Sequence, residues 1–166
     1  TSRGTNIVNL LSMDSDEKVT ALIKVTPDEY EREDRCLVMV TRKGIIKRTP
    51  LGAYKNVRRM GLIAIGLDDG DELAWVRQTD GTSELIIATK NGMAIRFDEQ
   101  DARPLSRTAR GVKAITLEDG DEVVGMARVR KESGATLLTV SESGLGRRTE
   151  VSQYRLQSRG GKGIRN

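Results

Sequence analysis

The chain has no histidine, a single cysteine, and aromatic residues at only 3% of its 166 positions. Without histidine, and with no serine paired to a base, the sequence offers no candidate for nucleophilic catalysis. The lone Cys36 cannot form an internal disulfide, which fits a reducing cytosol, and its aliphatic neighbours predict a packed strand residue. No apolar run approaches the roughly 18 residues of a membrane span, and no signal peptide opens the sequence. We therefore expect an aliphatic core, no catalytic residues and no membrane segment.

The sequence is instead rich in internal repetition. A phrase with a central glycine occurs three times, about 50 residues apart, at 41–49, 89–97 and 141–149. A second phrase at 61–73 returns at 111–123, and a looser copy opens the chain at 7–19. Both ends of the sequence fall at the same phase of this pattern. Residues 1–166 are therefore predicted to form one domain of about three repeats that share a core, as part of a longer protein.

Each repeat predicts about four short strands. Aliphatic and β-branched runs lead through glycine-containing turns into second strands, which is typical of β-hairpins at 36–48, 85–97 and 136–149. A further strand pair is predicted from 62–67 with 73–76, and from Leu117 with 123–127. Segments 54–60 and 151–157 are predicted to be loops or short turns. Four strands per repeat at this period indicate an all-β, propeller-like fold, and the missing Trp-Asp signature argues against the common WD40 blade.

The charge alternates in step with the repeat, although the formal net charge is only +4. Residues 36–60 hold seven basic and no acidic side chains, whereas 61–88 hold one basic and six acidic ones. The later half-repeats continue this alternation, which predicts a basic band that could bind a phosphate backbone. The alternative is a solvated surface of mixed charge. Scarce aromatics and the absence of a recognition-helix or zinc-finger pattern favour sequence-independent contacts to duplex DNA.

The candidate DNA-binding residues are the basic side chains at equivalent repeat positions and in the adjoining loops. They are Arg42, Lys43, Lys47, Arg48, Arg58, Arg59, Arg96, Arg107, Arg110, Arg147, Arg148, Arg159 and Lys162. Charge reversal at Asp68 and Asp69 is not expected to weaken binding.

Two other motifs have alternative interpretations. The acidic cluster 68–72 could hold a hard cation, but its echo at 118–122 favours a structural turn. The run 160–163 is not a phosphate-binding loop, because no Ser or Thr follows its lysine and no strand-to-helix context surrounds it. We therefore expect no metal and no cofactor in these residues.

Several of these motifs resemble the C-terminal β-pinwheel that is shared by the A subunits of DNA gyrase and topoisomerase IV. They are the phrase Thr-x-x-Gly-x-x-x-Arg, the Asp-Gly-Asp-Glu turns, Ile7-Val8-Asn9-Leu10-Leu11 and Gly146-Arg147-Arg148-Thr149. The resemblance covers the whole chain and favours gyrase. It implies a propeller-like disc of six blades in which neighbours exchange strands. It also implies that DNA wraps around the outer edge, which lets the parent enzyme introduce negative supercoils.

The gyrase family carries a box reading Gln-Arg/Lys-Arg-Gly-Gly-Arg/Lys-Gly in its first blade. Here Gln157, Arg159, Gly160, Gly161, Lys162 and Gly163 match the box, while Ser158 departs from it. Because this copy ends the third repeat, the resemblance implies a degenerate box in a later blade.

The resemblance also implies features of the parent that lie outside these residues. They are ATP and Mg²⁺ sites, a heterotetramer with the B subunit that carries the ATPase, and a place in the bacterial cytoplasm at the nucleoid. The A subunit of topoisomerase IV and a protein-interaction propeller are the alternatives, and the latter would bind its partner independently of salt. The strands near Ile7–Leu11 and Gly163–Asn166 are expected to lack neighbours, and so to self-associate or to be disordered.

Overall fold

A computed structural model of the chain describes residues 3–58 and 60–166. Within these ranges the regular structure consists of β-strands and short 3-10 segments, without α-helix. The strands are β1 Cys36–Thr41, β2 Ile45–Pro50, β3 Leu73–Thr79, β4 Ser83–Thr89, β5 Met93–Asp98, β6 Val112–Lys113, β7 Val123–Arg130, β8 Thr136–Val140, β9 Gly146–Glu150 and β10 Ile164–Arg165. The 3-10 segments are Ile7–Asn9, Pro27–Glu31, Leu51–Tyr54, Glu99–Asp101 and Val151–Gln153. The predicted all-β class is confirmed, and none of the described helical segments is long and apolar enough to span a membrane.

The repeated phrase forms a hairpin in each repeat. Strands β1 and β2, β4 and β5, and β8 and β9 pair antiparallel with matching registers. Their turns depend on Gly44, Gly92 and Gly144, which have φ angles of 81°, 83° and 82°. Residues that carry a side chain rarely adopt this left-handed backbone conformation, which explains why a glycine recurs at the centre of each phrase.

The sheets are built by strand exchange between consecutive repeats. The first sheet has the order β3-β1-β2-β6 and the second β10-β5-β4-β7, while β8 and β9 form a two-stranded sheet. Strand β6 follows β5 in the chain yet pairs with β2, and β10 follows β9 yet pairs with β5. The first hairpin is thus flanked by the long strand β3 and by the short strand β6 from the next repeat, and the second hairpin is flanked in the same way by β7 and β10. This exchange is the one that the pinwheel resemblance implies.

Three sequence predictions need correction. Neither 62–67 nor Leu117 forms a strand, because the repeated segment crosses to the neighbouring sheet and only Val112–Lys113 pairs there. The third sheet has two strands among the described residues, rather than four. The end at Gly163–Asn166 does not lack a neighbour, because β10 pairs with β5 and the Asn166 N–H donates to the Gly92 carbonyl at 2.8 Å.

Aliphatic layers fill the space between sheets. Val38, Val40 and Ile46 of the first sheet pack in one cluster with Ile87 and Ile95 of the second. Ile86 on the opposite face of the second sheet packs with Val151 and, at its edge, Leu137 of the third repeat. Cys36 is buried as predicted, and burial raises the pKa of its thiol. The consecutive sheets therefore stack face to face through a core with few aromatic side chains.

Candidate nucleic-acid interface

The basic residues predicted to face solvent divide into three environments, and the side chains of the first are buried or partly buried between neighbouring sheets. Lys47 on β2 has no exposed surface. Its Nζ donates to the Ala64 carbonyl at 2.6 Å, to the Ser106 carbonyl at 3.1 Å and to the Arg107 carbonyl. Burial, together with the charge of Arg107, lowers the pKa of Lys47 to about 8. The prediction that Lys47 lies on a solvent-facing band is wrong, because its ammonium group joins two segments inside the protein.

Arg48 and Arg96 occupy equivalent positions and also lie in the joints, the contacts between neighbouring sheets. Arg48 is 4% exposed, lies 3.7 Å from the Glu99 carboxylate and donates to Gln100 Oε1 at 2.8 Å. Arg96 pairs with Glu84 at 2.7 Å through Nε. Its Nη1 donates to the carbonyls of Val151 at 3.1 Å and Tyr154 at 3.0 Å. Each guanidinium thus reaches the 3-10 segment of the next repeat. The prediction that Arg48 and Arg96 lie on a free basic surface is therefore wrong.

Arg107 and Arg159 are partly buried and repeat a single contact. Arg159 donates through Nη1 to the Lys113 carbonyl at 2.9 Å and through Nε to the Asp101 carbonyl at 2.8 Å. Arg107 donates through Nη1 to the carbonyl of Ile63, the residue equivalent to Lys113. Both arginines therefore donate hydrogen bonds to the segments that cross from one repeat to the sheet of its neighbour, and so help to hold those segments in place.

The rest of the box-like motif has the same structural role. The Gly160 N–H donates to the Ala114 carbonyl at 2.7 Å, and the Gly161 carbonyl accepts from the Thr116 N–H at 2.9 Å. Gly163 has a φ of 77° and lies against the Ala94 carbonyl so closely that a Cβ would overlap it. The Gln157 N–H donates to the Arg96 carbonyl at 3.0 Å. Lys162 alone in the motif carries an exposed cationic side chain.

A second environment holds exposed basic side chains that already have partners. Arg42 pairs with Glu72 at 3.2 Å and lies 5.9 Å from the centroid of the Trp75 ring. Lys43 Nζ donates to the Asp69 carbonyl at 2.7 Å. Arg110 pairs with Asp68 at 2.8 Å. Because these pairs are exposed and held weakly, a phosphate could compete for the same cations.

The third environment contains exposed basic side chains that form no ion pair with a described residue. Arg58, Arg147, Arg148 and Lys162 belong to it. The prediction for Arg59 lies outside the described residues. These side chains are the members of the predicted set that are most available to a ligand.

Further exposed basic residues were missed by the sequence analysis. Lys55, Arg103 and Arg155 each follow an equivalent residue at the end of a 3-10 segment, and all three are exposed. An alignment of the three repeats at Tyr54, Ala102 and Tyr154 would have placed these basic residues at one equivalent position, because each follows the aligned residue directly. We use the name basic loops for the segments 55–58, 103–110 and 155–162, which contain these residues.

The basic loops are placed by the same backbone contacts in successive repeats. Pro104 forms a parallel bridge with Arg48, and Leu156 forms the equivalent bridge with Arg96. The Leu105 N–H donates to the Arg48 carbonyl at 2.8 Å, as the Gln157 N–H does to Arg96. Each of these two loops then enters the short strand at the edge of the preceding sheet, β6 or β10. Because the contacts repeat, the loops lie along the same edge of successive sheets.

The acidic turns at 68–72 and 118–122 stabilise the hairpin turns. Asp71 Oδ1 accepts from the backbone N–H groups of Lys43 at 3.0 Å and Glu72 at 2.8 Å. Asp121 Oδ1 repeats this arrangement with Asn91 at 3.0 Å and Glu122 at 2.9 Å. These carboxylates therefore fix the hairpin turn against the following strand, in accord with the structural interpretation of the motif.

The fold and its repeated joints define a strand-exchanging β-propeller domain. The family described as "DNA gyrase C-terminal domain, beta-propeller" matches residues 37–80, 83–130 and 135–166. The chain therefore belongs to the DNA gyrase C-terminal domain family.

Relatives and solved structures agree with this assignment. The chain is 46% identical over 165 residues to the A subunit of DNA gyrase from Haloquadratum walsbyi, covering 99% of the chain and 19% of that relative. A solved C-terminal domain of DNA topoisomerase IV matches with a TM-score of 0.90 at 28% identity, over 98% of this chain and 49% of that one. A solved gyrase A C-terminal domain matches with a TM-score of 0.83 at 29% identity, over 98% of this chain and 53% of that one.

Proposed function

We propose that the chain binds duplex DNA without sequence preference and bends it along the basic loops. The observation that carries the proposal is the recurrence of exposed cations along one edge of successive sheets. On the two loops that lie along sheet edges, Arg103 and Arg155 recur at one position, and Arg110 and Lys162 recur at another. Lys55 has the position of Arg103 in the first repeat and pairs with Glu31. Cations spaced in this way can follow a phosphate backbone but cannot identify bases.

Rigid placement of the loops favours bending. The loops 103–110 and 155–162 are fixed by backbone hydrogen bonds to the preceding sheet, so a duplex that contacts successive loops must follow their spacing. Bending 20–30 bp by 40–90° costs on the order of 1–6 kcal/mol, which additional phosphate contacts can offset. The predicted contacts at Lys47, Arg48 and Arg96 are not part of this proposal, because those side chains lie in the joints.

We further propose that the parent protein is the A subunit of an ATP-dependent type II topoisomerase that introduces negative supercoils. It would act in the cytoplasm at the nucleoid, in a heterotetramer with the B subunit that carries the ATPase. Support comes from the family match and from the gyrase A relative at 46% identity, of which the chain spans 19%. That relative favours gyrase over topoisomerase IV. ATP, Mg²⁺ and the catalytic residues of such an enzyme would lie in other parts of the parent.

The proposal is tested by fluorescence anisotropy with a labelled 30-bp duplex over a series of salt concentrations. The logarithm of the binding constant is expected to fall linearly with the logarithm of the salt concentration, with a slope of about −0.9 per neutralised phosphate. Two duplexes of unrelated sequence should give equal affinities at each salt concentration. Binding that is unchanged between low and high salt would contradict the mechanism and favour a protein-interaction propeller.

A matched pair of variants locates the surface. Lys162→Gln removes a cation from a basic loop, and we expect it to reduce the salt slope by about one unit. Arg130→Gln removes an exposed cation from the end of β7, the strand at the opposite edge of the second sheet. It should leave the slope unchanged. Equal effects of the two variants would show that net charge, rather than loop position, determines binding.

A further inference from the structure

The basic loops 103–110 and 155–162 are fixed to the preceding sheet in different ways. In the later loop the Gly160 N–H donates to the Ala114 carbonyl at 2.7 Å, and Thr116 Oγ1 donates to the Gly160 carbonyl at 2.7 Å. Gly160 makes the first of these bonds with a φ of 85°, a backbone conformation that residues with a side chain rarely adopt. Contacts of the loop's own backbone therefore hold the centre of the later loop.

The earlier loop lacks both of these contacts. Thr108 stands at the position of Gly160, and its φ is not positive. Among the described residues, no hydrogen bond joins the Thr108 N–H to the Ala64 carbonyl, which is the equivalent acceptor. Gly66 stands at the position of Thr116 and has no hydroxyl group to donate. The centre of the earlier loop is therefore held by another group.

Lys47 on β2 supplies the missing contacts. Its Nζ donates to the Ala64 carbonyl at 2.6 Å, to the Ser106 carbonyl at 3.1 Å and to the Arg107 carbonyl. Because an ammonium group has three donors, these three acceptors satisfy it completely. Ile95 stands at the position of Lys47 in the second sheet and is buried among aliphatic side chains. One lysine thus holds the earlier loop, whereas backbone contacts hold the later one.

The burial of this ammonium group is costly. Lys47 has no exposed surface, and burial together with the charge of Arg107 lowers its pKa to about 8. A lowered pKa of a lysine means that the folded chain disfavours its charged form relative to water. Ile95 fills the equivalent place in the second sheet without this cost. The cost favours a role for Lys47 in placing the loop, in addition to its contribution to packing.

The segment that Lys47 holds is the one that bears exposed cations. Arg103 and Arg110 lie at the two ends of the earlier loop, and both are exposed. The carbonyls of Ser106 and Arg107 lie between them in the chain, so Lys47 holds the middle of this segment. The distance between the cations of the earlier loop and those of the later loop therefore depends on Lys47.

We propose that Lys47 is a positioning residue for DNA bending. Its buried ammonium group fixes the earlier loop on the first sheet, so that a duplex in contact with both loops follows a set spacing. Lys47 itself does not contact DNA, because no part of its side chain is exposed. The inference rests on the proposed binding of DNA along the basic loops, and it adds the residue that sets their relative position.

Hydrogen exchange of the chain without DNA tests the positioning directly. Lys47→Ile introduces the residue of the second sheet at this position. We expect the Gly66 N–H, which donates to the Ala109 carbonyl of the loop at 3.1 Å, to exchange about tenfold faster, the loss expected for one hydrogen bond to a charged donor. The amides of β4 in the second sheet should accelerate less. Unchanged exchange at Gly66, or equal acceleration in the loop and in β4, would overturn the proposal.

A swap of contacts tests the mechanism. Lys47→Ile combined with Gly66→Thr and Thr108→Gly introduces all three residue types that accompany the later loop. We expect this variant to regain slow exchange at position 66, because the backbone of the earlier loop can then make the contacts of the later one. Circular dichroism checks that the variant is folded. A folded swap variant that exchanges as fast as Lys47→Ile would overturn the proposal.

Circularisation of a duplex by ligase measures the consequence for bending. A duplex of about 150 bp, close to the persistence length, circularises faster when it is bent. The chain is added at saturating concentration, so that differences in affinity do not contribute. We expect Lys47→Ile to lose most of the rise in rate that the unmodified chain produces, and the swap variant to regain it. Lys24→Gln is the matched control, since it removes the same charge from an exposed site outside the loops and should retain the rise.

The outcomes separate this inference from the proposed function. A loop that loosens in Lys47→Ile without any loss of circularisation would overturn the role of Lys47 in bending. If the unmodified chain itself gave no rise in rate, the proposed DNA bending would be contradicted. The exchange measurements, which are made without DNA, would still decide whether Lys47 holds the loop.

Discussion

The joints and the basic loops contain the same residue types in opposite environments. In the joints, Lys47, Arg48 and Arg96 donate to backbone carbonyls or pair with buried carboxylates. In the loops, Arg103 and Arg155 are exposed and make no ion pair with a described residue, although other residues of the same loops bond to the joints. A desolvated cation is costly unless it is paired, whereas an exposed one contributes little to stability and remains available to a ligand. The joints therefore determine folding, and the loops are left to determine binding.

The largest expected effect separates the two regions by stability. Arg96→Ala removes the partner of Glu84, whose side chain is only 6% exposed. Breaking a buried ion pair in this way costs about 3–5 kcal/mol in the free energy of unfolding, which urea denaturation measures. The loop variant Arg155→Ala should change the same quantity by less than about 0.5 kcal/mol. Similar losses of unfolding free energy in both variants would contradict the distinction between joint and loop.

A smaller effect tests how closely the exchanged strand approaches its host sheet. Gly61 and Gly111 both have positive φ, at 75° and 109°, but only Gly111 lies against a neighbouring backbone. Gly61→Ala should cost about 1–2 kcal/mol for the left-handed conformation alone. Gly111→Ala should cost about 1–3 kcal/mol more, because the added Cβ overlaps the Ile46 carbonyl. Thermal unfolding of the two variants gives the difference, and equal costs would mean that the joint tolerates an extra atom.

The pH dependence of stability isolates Lys47. Burial lowers its pKa from the ordinary 10.5 to about 8 in the folded chain. Between these values the unfolded chain binds more protons, so the contribution of Lys47 to stability rises with pH. The gain at pH 9 relative to pH 7 should be about 1 kcal/mol. Lys47→Met should lack this gain when urea denaturation is repeated at both pH values. The result would contradict the lowered pKa of Lys47 if the free energy of unfolding fell more between pH 7 and pH 9 in the unmodified chain than in Lys47→Met.

The sequence predicts the repeat, the hairpins and their glycine turns because each depends on local chemistry. The phrase that ends in Arg48, Arg96 and Arg148 also carries the resemblance to the family. Burial of Arg48 and Arg96 could not be predicted, because it depends on which residues of the next repeat lie opposite them. Glu99 lies 51 residues beyond Arg48, and no local pattern relates the two. The short strand β6 was missed for the same reason, since its partner is β2 of another repeat.

Charge counting failed in the first repeat in particular. Two of the seven basic residues in 36–60, Lys47 and Arg48, are buried, so the segment is less basic at the surface than its composition indicates. Lys55, Arg103 and Arg155 were overlooked individually because they lie beyond the repeated phrase, although each follows the arginine that ends that phrase by seven residues. Alignment from the ends of the 3-10 segments brings them together.

The most direct test of the central claim compares two double variants of equal net charge. Arg103→Gln with Arg155→Gln removes two loop cations, and Lys24→Gln with Arg130→Gln removes two exposed cations that lie outside the loops and outside the candidate set. The measurement is the dependence of duplex-DNA affinity on salt concentration. The loop variant is predicted to reduce the slope by about two units and the other to leave it within error of the unmodified chain. Equal reductions in the two variants, or a larger one in the second, would contradict the claim that the loops bind DNA.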